Sequence, residues 1–403
     1  MTFPRKATHQ QTRAHNAALV LRALYDFGPI SRADVARLSG LTRTTVGDVV
    51  GGLIEDGLAR EVGRGPSTGG KAPILLELID DARHVIGLDL GELVFHAGLV
   101  DLRGRIQRTI ERPVAGLSGD DALAVVHELI EALAADANGT LLGIGVGTPG
   151  IVDAATGTIR RAVNLDWQEL PLGEILRARY GVPVEVANDS RAAALAIELF
   201  SGRRTSNLVA VKVGRGIGAG VVLGGELFHG DGFGAGEIGH LVVEDDGAEC
   251  RCGRFGCLET VASSRAILQR ATEVAEQTPE SPLGGRLAAT GELTLDDVHA
   301  ALDQGDEATR RIVLLAARFM GRALAGLIGV LDVERIVLHG SVADLGPVWL
   351  DTVRDEAHRR ALRLLAGGVS IEPPGAVGEL GDLVVLGASA VLLTAELGLA
   401  VGR

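Results

Sequence analysis

The sequence predicts an α/β protein: a small winged helix-turn-helix head at residues 1–80, joined to a body that repeats one α/β pattern as two lobes. Three observations predict it. Two short helical segments around a glycine turn open the chain, followed by two strand-like segments with a basic tip. A run of short strands followed by alternating helices and strands begins at His84, and strands resume at Leu208. Charge is also unevenly placed. Residues 1–80 hold ten Lys/Arg and eight Asp/Glu, a balance of +2, which leaves −15 for the rest of a chain whose net charge is −13. A basic N-terminal head on an acidic body is the footprint of nucleic-acid binding.

In the head, His15 to Phe27 reads as a helix with apolar residues at helical spacing, ended by Gly28-Pro29. Ser31, three residues before Asp34, has the spacing of a capping box and starts a second helix that stops at Gly40. Thr42 caps a third, in which Val46, Val49, Val50, Leu53 and Ile54 make one buried face. Such a third helix enters the major groove by its first residues, here Arg43, Thr44 and Thr45. Arg43 offers a fork of donors to a guanine edge. Leu58 to Gly63 and Pro73 to Leu78 read as strands of a wing, with Lys71 at its tip. An αα-hairpin of an interaction domain is the alternative reading.

The first lobe is expected at residues 81–201: strands at 84–89, 93–101, 105–111, 141–146 and 184–187, helices at 120–137, 172–180 and 190–201. The last apolar helix, at about 386–403, is expected to return to this lobe. The second lobe, 202–385, opens with strands at 208–213 and 218–223 and carries all three cysteines. A duplicated fold of this kind places ligands in the cleft between lobes.

Two glycine-rich stretches resemble phosphate loops. Gly145-Val-Gly147-Thr-Pro-Gly150 has dinucleotide-fingerprint spacing, but a turn follows it instead of the helix that would hold a pyrophosphate, so dinucleotide binding is not expected. Gly214-Arg-Gly216-Ile-Gly218 is a hairpin turn whose amides either meet a phosphate or only turn the chain.

Cys250, Cys252 and Cys257 lie within eight residues, an odd number that does not suit a disulfide framework. With His240 they supply four ligands, the number a closed structural Zn²⁺ site takes. Gly253 and Gly256 allow the tight fold that brings Cys252 to Cys257. Asp189, where a strand meets a helix, is either a general base or the helix N-cap. Glu237 and Glu259 flank the cysteine loop and suit sugar hydroxyls. No apolar run is long enough for a membrane span and the first residues are polar, so a cytoplasmic protein without membrane partners is expected.

These residues carry a resemblance. Gly236-Glu-Ile-Gly-His240 with Cys250-x-Cys252-Gly-x-x-Gly-Cys257-x-Glu259, together with Thr148-Pro-Gly150, Asn164-Leu-Asp-Trp167 and Ala187-Asn-Asp189, resembles the ROK family of repressors, open reading frames and kinases. The likeness is to its xylose and N-acetylglucosamine repressor branch. It implies an actin-like, hexokinase-type two-lobed fold, a ribonuclease H-like duplication. It further implies a sugar held by Asn164, Asn188, Asp189, Glu237, His240 and Glu259, with Asp189 at the position of the kinases' catalytic base, and a homodimer or homotetramer. The nucleotide side departs from the kinases. Asp89-Leu-Gly91-Glu92-Leu93 lacks the usual second glycine and threonine, Arg215 stands where threonine is usual, and His339-Gly340-Ser341 replaces a glycine pair. ATP is therefore not an expected cofactor. The expectation is a sugar-responsive regulator that binds operator DNA; a sugar kinase that keeps a DNA-binding head, and a protein-binding scaffold, are the alternatives.

Overall fold

The computed structural model describes residues 9–66, 72–137, 139–203, 205–379 and 382–399. The chain divides into two compact units. One holds the chain as far as Phe200 together with the last helix, and the other holds Ser201–Glu379.

The head opens the first unit. Helices α1 (His9–Phe27), α2 (Arg32–Ser39) and α3 (Arg43–Glu55) precede strands β2 (Ala59–Arg64) and β3 (Ile74–Leu78). Ser31 Oγ accepts the Asp34 amide at 3.2 Å and donates to its carboxylate at 2.7 Å, so the expected cap is formed. Gly40 leaves α2 in a left-handed turn, φ 69°, and Thr42 Oγ1 accepts the Thr45 amide at 3.2 Å to start α3. Val46, Val50 and Leu53 are the buried face of α3. A two-residue strand, β1 (Ile30–Ser31), joins β3 and β2 in an antiparallel sheet, order β1-β3-β2. Lys71 lies outside the described residues.

The same unit continues with β4 (His84–Leu90), β5 (Val94–Asp101), β6 (Ile106–Pro113), α4 (Gly119–Ala134) and β7 (Leu141–Thr148). A small antiparallel sheet follows, β8 (Ile151–Asp153), β9 (Thr158–Ala162) and β10 (Trp167–Leu170), and then α5 (Leu172–Tyr180), β11 (Val184–Asn188) and α6 (Asp189–Phe200). The main sheet has the order β11-β7-β4-β5-β6, with β4, β7 and β11 parallel and β5 antiparallel to both its neighbours.

The second unit holds β12 (Leu208–Val213), β13 (Ile217–Leu223), β14 (Glu226–Leu227), α7 (Glu259–Ala262), α8 (Ser264–Gln277), α9 (Pro282–Thr290), α10 (Leu295–Asp303) and α11 (Glu307–Leu331). Then come β15 (Arg335–His339), α12 (Pro347–Arg360), α13 (Arg363–Ala366), β16 (Ser370–Glu372) and α14 (Ala376–Glu379). Its sheet order is β14-β13-β12-β15-β16, with β12, β15 and β16 parallel and β13 antiparallel to both neighbours. Strand order and sense thus repeat those of the first sheet, and the duplication expected from the sequence is a duplication of topology. Among the described residues α11 alone is long and apolar enough to cross a membrane; its Val313, Met320, Leu324 and Ile328 are buried in the core of this unit.

The final helix, α15 (Leu383–Leu397), belongs to the first unit and starts three residues before the expected 386, capped by the Asp382 carboxylate on the Val384 and Val385 amides. Glycines set its approach. A Cβ at Gly145 of β7 would lie 1.9 Å from the Ala388 carbonyl oxygen, one at Gly87 2.2 Å from that of Val385, and one at Gly387 2.0 Å from that of Ala192 in α6. Gly145 therefore serves backbone-on-backbone packing.

Candidate functional site

Three groups of side chains carry chemistry, and each is built locally. The first lies at the carboxyl ends of the parallel strands of the first sheet. Asp89 of β4 pairs with Gly147 of β7, and Thr148 of β7 pairs with Asn188 of β11, so the loops after these strands emerge side by side. Open α/β sheets bind ligands at this edge. Asn188 Nδ2 donates to the Gly150 carbonyl at 3.0 Å, and Oδ1 accepts the Ser190 and Arg191 amides at 3.1 and 3.3 Å. Asn188, not Asp189, is thus the main cap of α6. Asp189 is half-buried at the first turn, where Oδ1 accepts the Ser190 amide at 2.7 Å. The helix N-terminus favours its negative charge. Gly150, φ 91°, passes so close to β9 that a Cβ would lie 2.1 Å from the Arg161 carbonyl oxygen. Asn164 is exposed in the β9–β10 turn, beside Trp167, whose Nε1 donates to Gly119 O at 3.0 Å.

The second group lies in the second unit. Gly236 and Gly239 lie flat on β13: a Cβ on them would come 1.8 Å from Ala219 O and 2.3 Å from Ile217 O. Their absence of side chains places Glu237 and His240 in one 3-10 turn, with His240 Nε2 3.9 Å from Glu237 Oε2. The other ring nitrogen, Nδ1, is 3.6 Å from Cys250 Sγ, and Cys252 and Cys257 Sγ are 3.7 Å apart. All four ligand atoms lie within 4.8 Å of one another. Zinc bonds of about 2.3 Å to sulfur and about 2.0–2.1 Å to nitrogen give tetrahedral edges of about 3.8 and 3.6 Å, which the His240–Cys250 and Cys252–Cys257 separations match. Burial pushes the Cys257 thiol up to about 12 and raises that of Cys250, while the Arg254 backbone N–H holds Cys252 down. A divalent cation at the centre supplies the charge that turns such thiols into thiolates. The donor set therefore fits Zn²⁺. Glu259 begins α7 and its Oε2 accepts the Ile217 amide at 3.1 Å, a tie from the cysteine loop to the β12–β13 turn.

The glycine turns at the strand ends of the second unit are held by their own backbone contacts. Gly214 N donates to Gly216 O at 3.0 Å, and its carbonyl accepts the Ser264 amide at 2.8 Å. Gly340, φ 96°, turns over the end of β12, where a Cβ would lie 2.8 Å from Val213 O. Arg215 is exposed and Glu92 half-buried.

The third group is the start of α3. Arg43 and Thr44 are exposed in its first turn. The Thr45 hydroxyl lies 2.9 Å from that of Thr42, which ties it into the cap. Sequence reasoning found the cluster and the helix start but offered Asp189 as the cap, although Asn188 bonds amides only two and three residues on; the Glu259–Ile217 bond joins positions forty-two apart, which residue spacing does not encode.

The chain can now be compared with known proteins. It is 31% identical to the xylose repressor of Caldicellulosiruptor bescii over 392 residues, 96% of this chain and 97% of that one. A solved ROK family transcriptional regulator, a homologue of the Escherichia coli MLC protein, matches 96% of this chain and 99% of its own at 26% identity and TM-score 0.80. A ROK family glucokinase of Streptomyces griseus, solved with glucose and AMPPNP, matches 77% of this chain and 98% of its own at 30% identity and TM-score 0.67. The regulators thus match the head as well as the body, whereas the kinase is matched in full by about three quarters of the chain. The ROK family model itself matches residues 85–393, from the first strand of the body into α15, and the chain belongs to the ROK family.

Proposed function

We propose that the protein is a sugar-responsive, DNA-binding transcriptional repressor of carbohydrate metabolism. The observation that carries this reading is the similarity to the xylose repressor and to the solved regulator along 96% of the chain, head included. Arg43 and Thr44 are assigned to base edges and phosphates, with Thr45 fixing the helix start and Lys71 on the backbone. The effector is a sugar, and Asn164, Asp189, Glu237, His240 and Glu259 are the residues assigned to its hydroxyls. Asn188 holds the Gly150 loop and α6 in place for them. Zn²⁺ is structural. His240, Cys250, Cys252 and Cys257 fill its four positions, which leaves Nε2 of His240 beside Glu237 for a hydroxyl. The protein acts in the cytoplasm as a homodimer or homotetramer, in which a change of state on sugar binding shifts operator affinity by differential binding.

A kinase is the second reading, favoured by Asp189 and by the match to the glucokinase. Operator binding and nucleotide turnover separate the two. Fluorescence anisotropy on DNA from its own promoter region is expected to give specific, salt-sensitive binding that one of xylose, glucose or N-acetylglucosamine weakens. Sugar-dependent ATP turnover that disappears in Asp189→Asn, with no effect of any of these sugars on DNA binding, would replace the repressor reading by the kinase one.

A further inference from the structure

The head and the first sheet share one unit, and two arginines join them. Arg103 stands at the tip of the β5–β6 turn. Its Nε lies 3.0 Å from Asp80 Oδ1, its Nη1 donates to the Tyr25 carbonyl at 2.6 Å, and its guanidinium sits 4.3 Å from the centre of the Tyr25 ring. Tyr25 is in the last turn of α1, where carbonyls have no partner inside the helix. Arg83, just before β4, donates through Nη2 to the Asp56 carbonyl at 2.9 Å. Asp56 is the C-cap of α3, the helix whose first turn carries Arg43 and Thr44. Each arginine thus places a cation and a donor on the C-terminus of a head helix, where the helix dipole and the unpaired carbonyls both favour it.

The turn that presents Arg103 is built for one conformation. Asp101 Oδ1 accepts the Arg103 and Arg105 amides at 2.8 and 2.9 Å. Gly104, φ 81°, packs on the Phe200 ring, and Leu102 is fully buried, with its amide donating to Asp80 O at 3.0 Å. The linker is tied as well, Ile79 N to Leu58 O at 2.9 Å and Ala82 N to Ile79 O at 3.1 Å.

We propose that Arg83 and Arg103 are positioning residues that clamp the winged helix to the body by capping α3 and α1, so that the direction in which α3 is offered to DNA is set by the first sheet. The inference rests on the repressor reading for its consequence, since a clamped head transmits an effector-driven change and a tethered one does not. It does not rest on that reading for its structural content.

The test uses the full chain with Arg83→Ala and Arg103→Ala combined, and Arg103→Lys as the conservative variant. Hydrogen exchange is read on the linker at residues 79–83, and operator affinity is read with and without the sugar that thermally stabilises the wild type. The expected result is faster exchange of the linker amides with unchanged protection of β4 and β7, an unchanged sugar-induced thermal shift, and a sugar effect on operator affinity that falls from the usual 5–150-fold of a coupled protein to less than about twofold. Lysine keeps the charge but lacks the planar fork whose separate nitrogens reach Asp80 and the Tyr25 carbonyl, and is expected in between. Wild-type linker exchange in the double variant overturns the clamp, as does an undiminished sugar effect. A wild type whose DNA binding ignores every sugar defeats the repressor reading, and the exchange measurement then still decides the clamp.

Discussion

The two sheets share strand order and sense, yet their most tightly packed glycines lie in different places. In the first, Gly87 and Gly145 are inside strands and let α15 pack backbone against backbone. In the second, β12 and β15 have no glycine, β13 keeps Gly218 and Gly220, and the closest approaches are made outside the strands: Gly340 at a strand end, Gly236, Gly239 and Gly256 in the loop that carries the cysteines. A Cβ at Gly256 would lie 1.7 Å from Glu244 O. The first sheet is thus a packed platform with Asn188 tying down the loop at its edge, and the second spends its tight contacts on shaping a loop. A glycine-rich string means different things in the two units, and what a Cβ would meet tells them apart.

The cysteine loop is where the comparison predicts the largest effect. It has little regular structure, and Cys257 is fully buried beside His240, Cys250 and Cys252. Cys257→Ala is expected to reduce the metal content from about one zinc per chain to near none, to raise hydrogen exchange through residues 236–260, and to abolish sugar-induced thermal stabilisation. The first unit, held by its own core, is expected to keep its protection. Metal analysis and exchange on the same sample check this; a variant that keeps its zinc and its sugar response would show that the loop is not shaped by metal.

The glycines come next. Gly145→Ala forces a Cβ into the Ala388 carbonyl and is expected to cost about 1–3 kcal/mol or more. Gly214→Ala meets nothing nearer than Ser341 Oγ at 3.9 Å and is expected within about 0.5 kcal/mol of wild type. Thermal unfolding of the two variants decides the matter, and equal costs would erase the distinction between platform and loop.

Much of this was legible in the sequence where local chemistry decides. Ser31, Gly40 and Thr42 fix the head helices through caps that span three residues, and they sit where the sequence places them. The cysteine cluster is legible because its residues are close in sequence. What escapes is set by distant partners. β1 is two residues long and exists only because β3 pairs with it. β16, three residues, is a strand through its pairing with β15. The last helix is expected from about 386, yet it starts at Leu383, and Gly387 lies inside it, where the helix loses propensity but gains close approach to Ala192. The site holds both kinds: Asn188 caps α6 through amides two and three residues on, whereas its Nδ2 bond to the Gly150 carbonyl joins positions thirty-eight apart.

The smallest effects concern two buried carboxylates, one in each unit, whose environments push them in opposite directions. Burial pushes the Asp101 carboxyl up, and the Arg105 and Arg103 backbone N–H groups only partly offset it. Burial also acts to raise Glu356, but hydrogen bonds from Arg360 and Arg359 outweigh it and hold the carboxyl below its usual range. The signs follow by linkage. Asp101 contributes stability that is complete below the ordinary aspartate range and lost as pH rises through its raised folded value. Glu356 contributes stability that is complete above the ordinary glutamate range and lost as pH falls through its lowered folded value. Glu356→Gln is therefore expected to destabilise at neutral pH, leaving Arg359 and Arg360 without their carboxylate, and to converge on wild type as both are acidified. Asp101→Asn keeps an oxygen for the two turn amides and removes the buried charge. It is expected to be slightly more stable than wild type at neutral pH, with the gain vanishing in acid. Unfolding curves of both variants across that range check the pair, and a neutral-pH loss in Asp101→Asn would mean that the charge itself, and not only the acceptor, holds the turn that carries Arg103.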